Sequence, residues 1–444
     1  MKRYPKYKDS GIEWIEGIPE HWEVKPLKYT VKINQDSLPE NTHEDYEIQY
    51  IDIGNVNQDG LVNHPKVMRF GISPSRARRV VKKGDIIVST VRTYLKAIAY
   101  INSEDENLIA STGFAVLTHT NKMHSMFLYY LISTQKIIDT ISSLSVGVSY
   151  PAINSSDLGS IPIWFPKAIE EQQTIANFLD RKTHQIDTLI ENKQKLIDLL
   201  KEQRAAIINH AVTKGLNPNV KLKDSGIEWL GEIPEHWELR KVGRSFNLIG
   251  SGTTPKSENL GYYENGTINW VITGDLNDSI LDKTSKKITG KALDEYSTLK
   301  IYPVGTLLIA MYGATIGKIS LMNFEGCVNQ ACCALSDSPY LSNEFSFYWF
   351  LANKQNIINM SFGGGQPNIS QEVVRSLKIP TPPSSEQQAI IYHLDEQTTR
   401  IDKLMEKQER QIDHLQEYRT AFISEVVTGK IDVRDSGIQE VRPS

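Results

Sequence analysis

Two stretches of the chain carry apolar side chains in a sustained alternation of four- and three-residue steps, and neither contains Pro or Gly. In residues 171–213 the series runs Ile175, Leu179, Lys182, Ile186, Leu189, Lys193, Leu196, Leu200, Gln203 and Ile207. In 386–428 it runs Ile390, Leu394, Gln397, Ile401, Leu404, Gln408, Gln411, Leu415, Tyr418 and Phe422. A few polar interruptions aside, this heptad pattern predicts two helices with one apolar stripe each, and two such stripes in one chain most simply bury each other. About 40 residues at ~1.5 Å per residue make a rod of roughly 60 Å.

The pattern elsewhere is different in kind. Short β-rich runs bounded by turn residues, YEIQYIDIGNV, GDIIVSTV, KAIAYI and FAVLT, precede the first long helix, and TINWVITGDLN, GTLLIAMY, GKISLM and ACCALS precede the second. One further helical stretch follows each set, at 126–141 and 345–360. The predicted fold class is α+β, with two similar domains of mixed β-sheet and helices joined by two long antiparallel coiled-coil helices in a pseudo-two-fold arrangement.

A repeat underlies this layout. KDSGIEWIEGIPEHWE at 8–23 returns as KDSGIEWLGEIPEHWE at 223–238, and the EQQ-led long helices match without a gap, both at an offset of 215 residues. Asp435, Ser436, Gly437 and Ile438 begin a third copy of the motif, so the order of segments is quasi-circular. Because the motif repeats while the segments between diverge, its residues are expected to be structural. Trp14, Trp22, Trp229 and Trp237 should pack against the domain and the helix base, and His21 and His236 should serve as anchors.

Length and composition agree with two domains. The chain has 444 residues, enough for two sizeable cores, and its 40% hydrophobic and 23% charged residues are those of a globular protein. No window approaches the ~18 apolar residues of a membrane span, and no apolar h-region follows the N-terminal charges, so a cytoplasmic location without membrane contact is expected. Cys327, Cys332 and Cys333 sit together in a predicted buried strand, too few for a disulfide framework, and no metal site is expected. A net charge of −4 means that any surface for nucleic acid must be local or supplied by another subunit.

The two DSGIEW…IPEHWE runs, the EQQ-led helices ending in A-V-T or V-V-T, GSGTTPKS (250–257), WVITGDL (270–276), GATIGK (313–318) and GGGQPNIS (363–370) together resemble the specificity subunit of type I restriction–modification systems over nearly the whole chain. The resemblance implies target-recognition domains at 1–167 and 221–384, conserved long helices at 168–214 and 385–429, a linker at 215–220 and a tail at 430–444. It implies a double-stranded DNA partner with a bipartite, asymmetric site, two methyltransferase (M) subunits on the helical regions, and restriction (R) subunits joining that core. No cofactor is expected in this chain; S-adenosylmethionine, ATP and Mg would belong to the partner subunits. The first domain departs from the pattern in carrying NQDSLP (34–39) where the second has GSGTTP (250–255).

DNA contacts require cations or amides for phosphates and side chains that reach base edges. The densest basic cluster holds Arg69, Arg76, Arg78, Arg79, Lys82 and Lys83, and Arg92, Thr93, Tyr94 and Lys96 follow a predicted strand end just beyond it. Tyr312, Thr315 and Lys318 occupy the corresponding turn of the second domain. There Ser251, Thr253, Thr254 and Lys256 lie on a Gly-bearing loop whose amides could cradle a phosphate, and Gln366 and Asn368 carry amides suited to adenine. The helix-pair seam is assigned to Ile175, Leu179, Ile186, Leu189, Leu196, Leu200, Ile207, Ile390, Leu394, Ile401, Leu404, Leu415 and Phe422.

Two other classes compete with a DNA reader. A coiled-coil scaffold would need no divergent domains. A self-contained methyltransferase would need an F-x-G-x-G loop and an N-P-P-Y-like motif, and neither is found. The E-x-K pair Glu191 and Lys193 falls on a long helix without the Pro-Asp of a nuclease, and GATIGKIS lacks P-loop spacing. No catalytic residue is assigned.

Overall fold

The computed structural model describes residues 2–57, 60, 62–361 and 368–437. Contacts divide the chain into two compact units, Met1–Lys193 with Arg410–Ser444, and Gln194–Glu409.

The first unit contains two four-stranded sheets. In one, Val31–Ile33, Phe114–His119, Ile86–Ser89 and Ile98–Tyr100 lie in that order, all antiparallel; in the other the order is Lys66–Arg69, Glu47–Ile51, Leu108–Ser111 and Ala77–Val80, with Glu47–Ile51 parallel to Leu108–Ser111. The second unit repeats this plan. Leu248–Gly250, Cys332–Ser336, Leu307–Ala310 and Ile319–Met322 follow the same antiparallel order, extended by Ser279–Leu281, and Ile268–Val271 runs parallel to Gly326–Val328 in a three-stranded sheet. The central strands Ile86–Ser89, Leu307–Ala310 and Cys332–Ser336 are buried throughout, as expected of strands covered on both faces.

Each helix predicted after the strands is two helices. Ser125–Ile132 gives way to Gln135–Ser143, and Asn343–Ala352 to Lys354–Asn359. The breaks fall where short polar side chains take backbone carbonyls: Thr134 Oγ1 donates to the Leu131 carbonyl at 2.7 Å and Asn353 Nδ2 to that of Trp349 at 2.9 Å.

The long helices are Ile169–Lys214 and Ser384–Val427. Within the first unit Phe178 meets Phe422 with ring centroids 5.9 Å apart, and Lys193 Nζ reaches Gln411 Oε1 at 2.6 Å, so the two segments run antiparallel. Arg419 Nε binds Asp187 Oδ1 at 2.8 Å there, and in the second unit Arg204 Nε binds Asp402 Oδ1 at 2.9 Å, the same pair 215 residues away in each member. Ile175, Leu179, Ile186, Leu200, Ile390, Leu394, Ile401 and Phe422 of the expected seam are buried, and Ile207 and Leu415 are half-buried. Leu189, Leu196 and Leu404 are instead exposed, while Ile197 is buried. A helix of 3.6 residues per turn drifts ~20° per heptad against a strict seven-residue repeat, so after about three heptads the facing position has moved on by one residue.

The helix ends complete the domain cores. Phe422, Ile423, Val426 and Val427 join Ile18, Trp22, Trp164 and Ile175 in the first unit; Ile208, Ala211 and Val212 join Trp237, Phe345 and Ile390 in the second. Among the described residues no helix is long and apolar enough to cross a membrane, and no group of three or more His, Cys, Asp or Glu is placed to hold a metal ion.

Candidate nucleic-acid interface

A duplicated frame holds the loops of each unit. Trp22 and Trp237 of the PEHW motif are wholly buried, and each lies against the left-handed glycine that ends a long helix, Gly429 (φ +71°) and Gly215 (φ +75°). His21 Nε2 pairs with Glu171 at 2.8 Å and His236 Nε2 with Glu386 at 2.8 Å. Glu171 also accepts from Trp22 Nε1 at 3.1 Å and from the Tyr4 hydroxyl at 3.0 Å. Trp14 and Trp229 pack edge-on or tilted on Trp164 and Trp349. The expected anchoring role of the motif is what these contacts describe.

The EQQ signature has a second function that the sequence did not disclose. Buried Gln172 donates to the carbonyls of Pro166 and Lys122 and accepts from the His124 amide, while Gln387 donates to Pro382 and Tyr340 and accepts from the Ser342 amide. Each glutamine thereby staples the start of a long helix to the start of the domain's own helix. About two turns later Tyr130 donates to Asp180 and Tyr348 to Asp395, both at 2.6 Å, with burial and the adjacent carboxylate pushing both phenols upward. Gln172 and Gln387, and Asp180 and Asp395, stand 215 residues apart, whereas their partners Tyr130 and Tyr348 stand 218 apart, outside the gapless match of the helices.

The basic cluster of the first unit is largely neutralised. Arg69 pairs with Asp45 at 3.1 Å, Arg76 with Asp52 at 2.7 Å, Lys82 with Asp36 at 2.6 Å, and Lys83 with Glu104. Hydrogen bonds to Tyr50, Asp36 and Glu104 raise Arg76, Lys82 and Lys83 respectively. Arg78 lies over the Phe70 ring, 4.8 Å from its centroid, and burial lowers Arg79. Four of the six cations therefore present ion pairs, with a weaker field than their sequence density suggests.

Beyond the strand Ile86–Ser89 the turn is otherwise equipped. Arg92 (φ +52°) and Lys96 (φ +54°) are both left-handed, exposed, and without a carboxylate partner among the described residues. Arg92 stacks over Tyr150 at 4.8 Å, and Lys96 Nζ donates to Gln135 Oε1 at 3.0 Å. Tyr94 is exposed, whereas Thr93 is buried with its hydroxyl on Ser145 at 2.9 Å.

In the second unit the 250–257 loop differs from the expected amide cradle. The Gly252 amide already donates to the Asn329 carbonyl at 3.2 Å and that of Lys256 to the Tyr296 hydroxyl at 3.2 Å. Thr254 donates to Gln330 at 2.6 Å, and the Thr253 carbonyl accepts from Trp270 Nε1. What the loop offers is the Ser251 and Thr253 hydroxyls and the exposed Lys256. Gly252 is required, because a Cβ there would collide with the Val328 carbonyl. The equivalent 34–39 segment does other work: Asn34 Oδ1 accepts the Val116 amide at 2.9 Å and Asp36 takes Lys82. Tyr312 and Asn368 are brought together in an isolated antiparallel bridge, near the turn that carries Thr315 and Lys318. Gln366 lies outside the described residues.

The family model for the type I restriction modification DNA specificity domain matches residues 19–200 and 234–414. The chain is 25% identical over 443 residues to the type I restriction enzyme MjaVIII specificity subunit of Methanocaldococcus jannaschii, covering 97% of this chain and 98% of that protein. Its fold is shared with a chain from a study of complex assembly and conformational transition of the type I R-M system, at 21% identity and a TM-score of 0.77 over 93% of this chain and 99% of that one. It is also shared with the HsdS subunit from Thermoanaerobacter tengcongensis, at 21% identity and a TM-score of 0.58 over 93% and 98%.

Proposed function

Since the chain belongs to the type I restriction modification DNA specificity family, as a non-catalytic recognition subunit of that enzyme complex, we propose that it reads a bipartite, asymmetric double-stranded DNA site and recruits methyltransferase and restriction subunits to it. The observation that carries this reading is one frame bearing two surfaces. The Trp, His–Glu, Gln and Tyr–Asp contacts recur at equivalent places, while the loops they hold differ: Arg92, Tyr94 and Lys96 in one unit, Ser251, Thr253, Lys256, Tyr312 and Asn368 in the other. A module that reads two unlike half-sites needs this combination of constant support and variable contact.

On this reading residues 1–167 and 221–384 are the recognition domains, and the long helices receive two M subunits, with R subunits joining that core. S-adenosylmethionine, ATP and Mg serve the partner subunits. The test is a gel-shift titration of the full-length chain, alone and with its M subunits, against random duplex at rising salt. A DNA reader loses affinity steeply, because each phosphate contact releases counterions; salt-independent or absent binding in both forms would leave only the scaffold.

A further inference from the structure

Resting on the DNA-reading function above, we propose that the loop at 144–150 is the base-contacting element of the first recognition domain, and that it reads the 5-methyl groups of thymines in the major groove. Within seven residues this loop exposes Leu144, Val146 (81%), Val148 (fully) and Tyr150 (64%). Apolar side chains gathered on a loop tip mark a surface built to be covered.

The loop is pinned rather than loose. Val146 and Ala152 exchange both backbone hydrogen bonds, at 2.9 and 3.0 Å, around Gly147 (φ +121°). Ala152 also bridges to Val91, the Arg92 amide donates to the Pro151 carbonyl at 2.8 Å, and Ser145 meets Thr93. The valines are thus fixed beside Arg92 and Lys96.

Charge says what covers them. The segments 86–103 and 140–156 that meet here contain Arg92 and Lys96 and no Asp or Glu; the acid nearest in sequence to the loop, Asp139, is taken up by Gln135 at 2.6 Å. In the 69–83 cluster, by contrast, four cations are tied to acids. An apolar tip rimmed by available cations fits a partner with an anionic edge and small apolar groups between. Duplex DNA is such a partner, its phosphates flanking a major groove in which only thymine presents a methyl group. Valine has no donor or acceptor, so that methyl is the one base-edge feature it can discriminate.

The experiment starts from duplexes selected out of a random pool by the full-length chain with its M subunits. Each thymine of the selected site is then replaced by deoxyuridine, which lacks the methyl and keeps every hydrogen-bonding group. We expect binding to weaken about three- to fourfold per thymine read, in one half-site only. The Val146→Ser/Val148→Ser variant should bind thymine and deoxyuridine duplexes equally, retain discrimination in the other half-site, and melt at the wild-type temperature, since both side chains are exposed. Indifference of the wild type to deoxyuridine, or full thymine preference in the variant, overturns the assignment while selective DNA binding keeps the functional reading intact. A changed oligomeric state of the variant with unchanged DNA preference would overturn it in favour of a protein interface. Failure of the wild type to select any duplex overturns both.

Discussion

Glu171 takes donors from Trp22, His21 and Tyr4, whereas its counterpart Glu386 takes His236 while Trp237 Nε1 is buried without a partner among the described residues. Truncation should therefore cost unequally. Glu171→Ala leaves an indole N–H and a phenol unpaired and should destabilise by ~1–3 kcal/mol; Glu386→Ala should cost clearly less, and the difference is read from urea midpoints at constant m. The thiols give a pH prediction. Burial pushes Cys327 up to about 11 and Cys333 up to about 12. Above the ordinary thiol range the unfolded chain loses protons that the folded one keeps, so stability falls as pH rises from about 8.5 towards 11. Urea melts at pH 7.5 and 10 should show this decline, and replacing the three cysteines by Ala should reduce it, leaving the part that the raised phenols of Tyr130 and Tyr348 contribute near pH 10. The tryptophans were legible because repetition singled them out. The glutamate and glutamine contacts were not, because polar partners 150 and 50 residues away leave no local pattern; the acids that quench the basic cluster escaped for the same reason.

The long helices were legible as elements because periodicity is a property of the chain alone, and their mid-point facing was not, because a strict heptad count ignores helical drift. This yields a sharp comparison. Ile197→Ala should cost ~2–5 kcal/mol as a buried truncation, while Leu196→Ala, exposed one residue earlier, should stay within about 0.5 kcal/mol; comparable losses would restore the strict repeat. Arg204→Ala and Arg419→Ala remove partly exposed ion pairs and should each cost no more than ~1 kcal/mol, less at high salt. The split of each domain helix at Thr134 and Asn353 was hidden because an apolar run of that length does not announce the carbonyl-capping side chain within it.

At the scale of the molecule, each long helix is continuous across the boundary between the compact units. If helix length sets the unread spacer, adding four residues in register lengthens a helix by ~6 Å, and methylation mapping should show a spacer longer by one or two base pairs with both half-sites unchanged. Exchanging residues 24–160 for those of a relative should alter one half-site only; altered specificity in both would contradict independent domains. The first unit, finally, is not finished by its own stretch of chain: Phe422, Val426 and Val427 close a core begun by Ile18, Trp22 and Ile175. During synthesis the ribosome must add more than two hundred residues between Ile175 and Phe422, on the order of tens of seconds. A nascent product broken off in that interval lacks the side chains that cover Ile18, Trp22 and Ile175, and exposed apolar surface of that kind is what makes incomplete chains prone to aggregate.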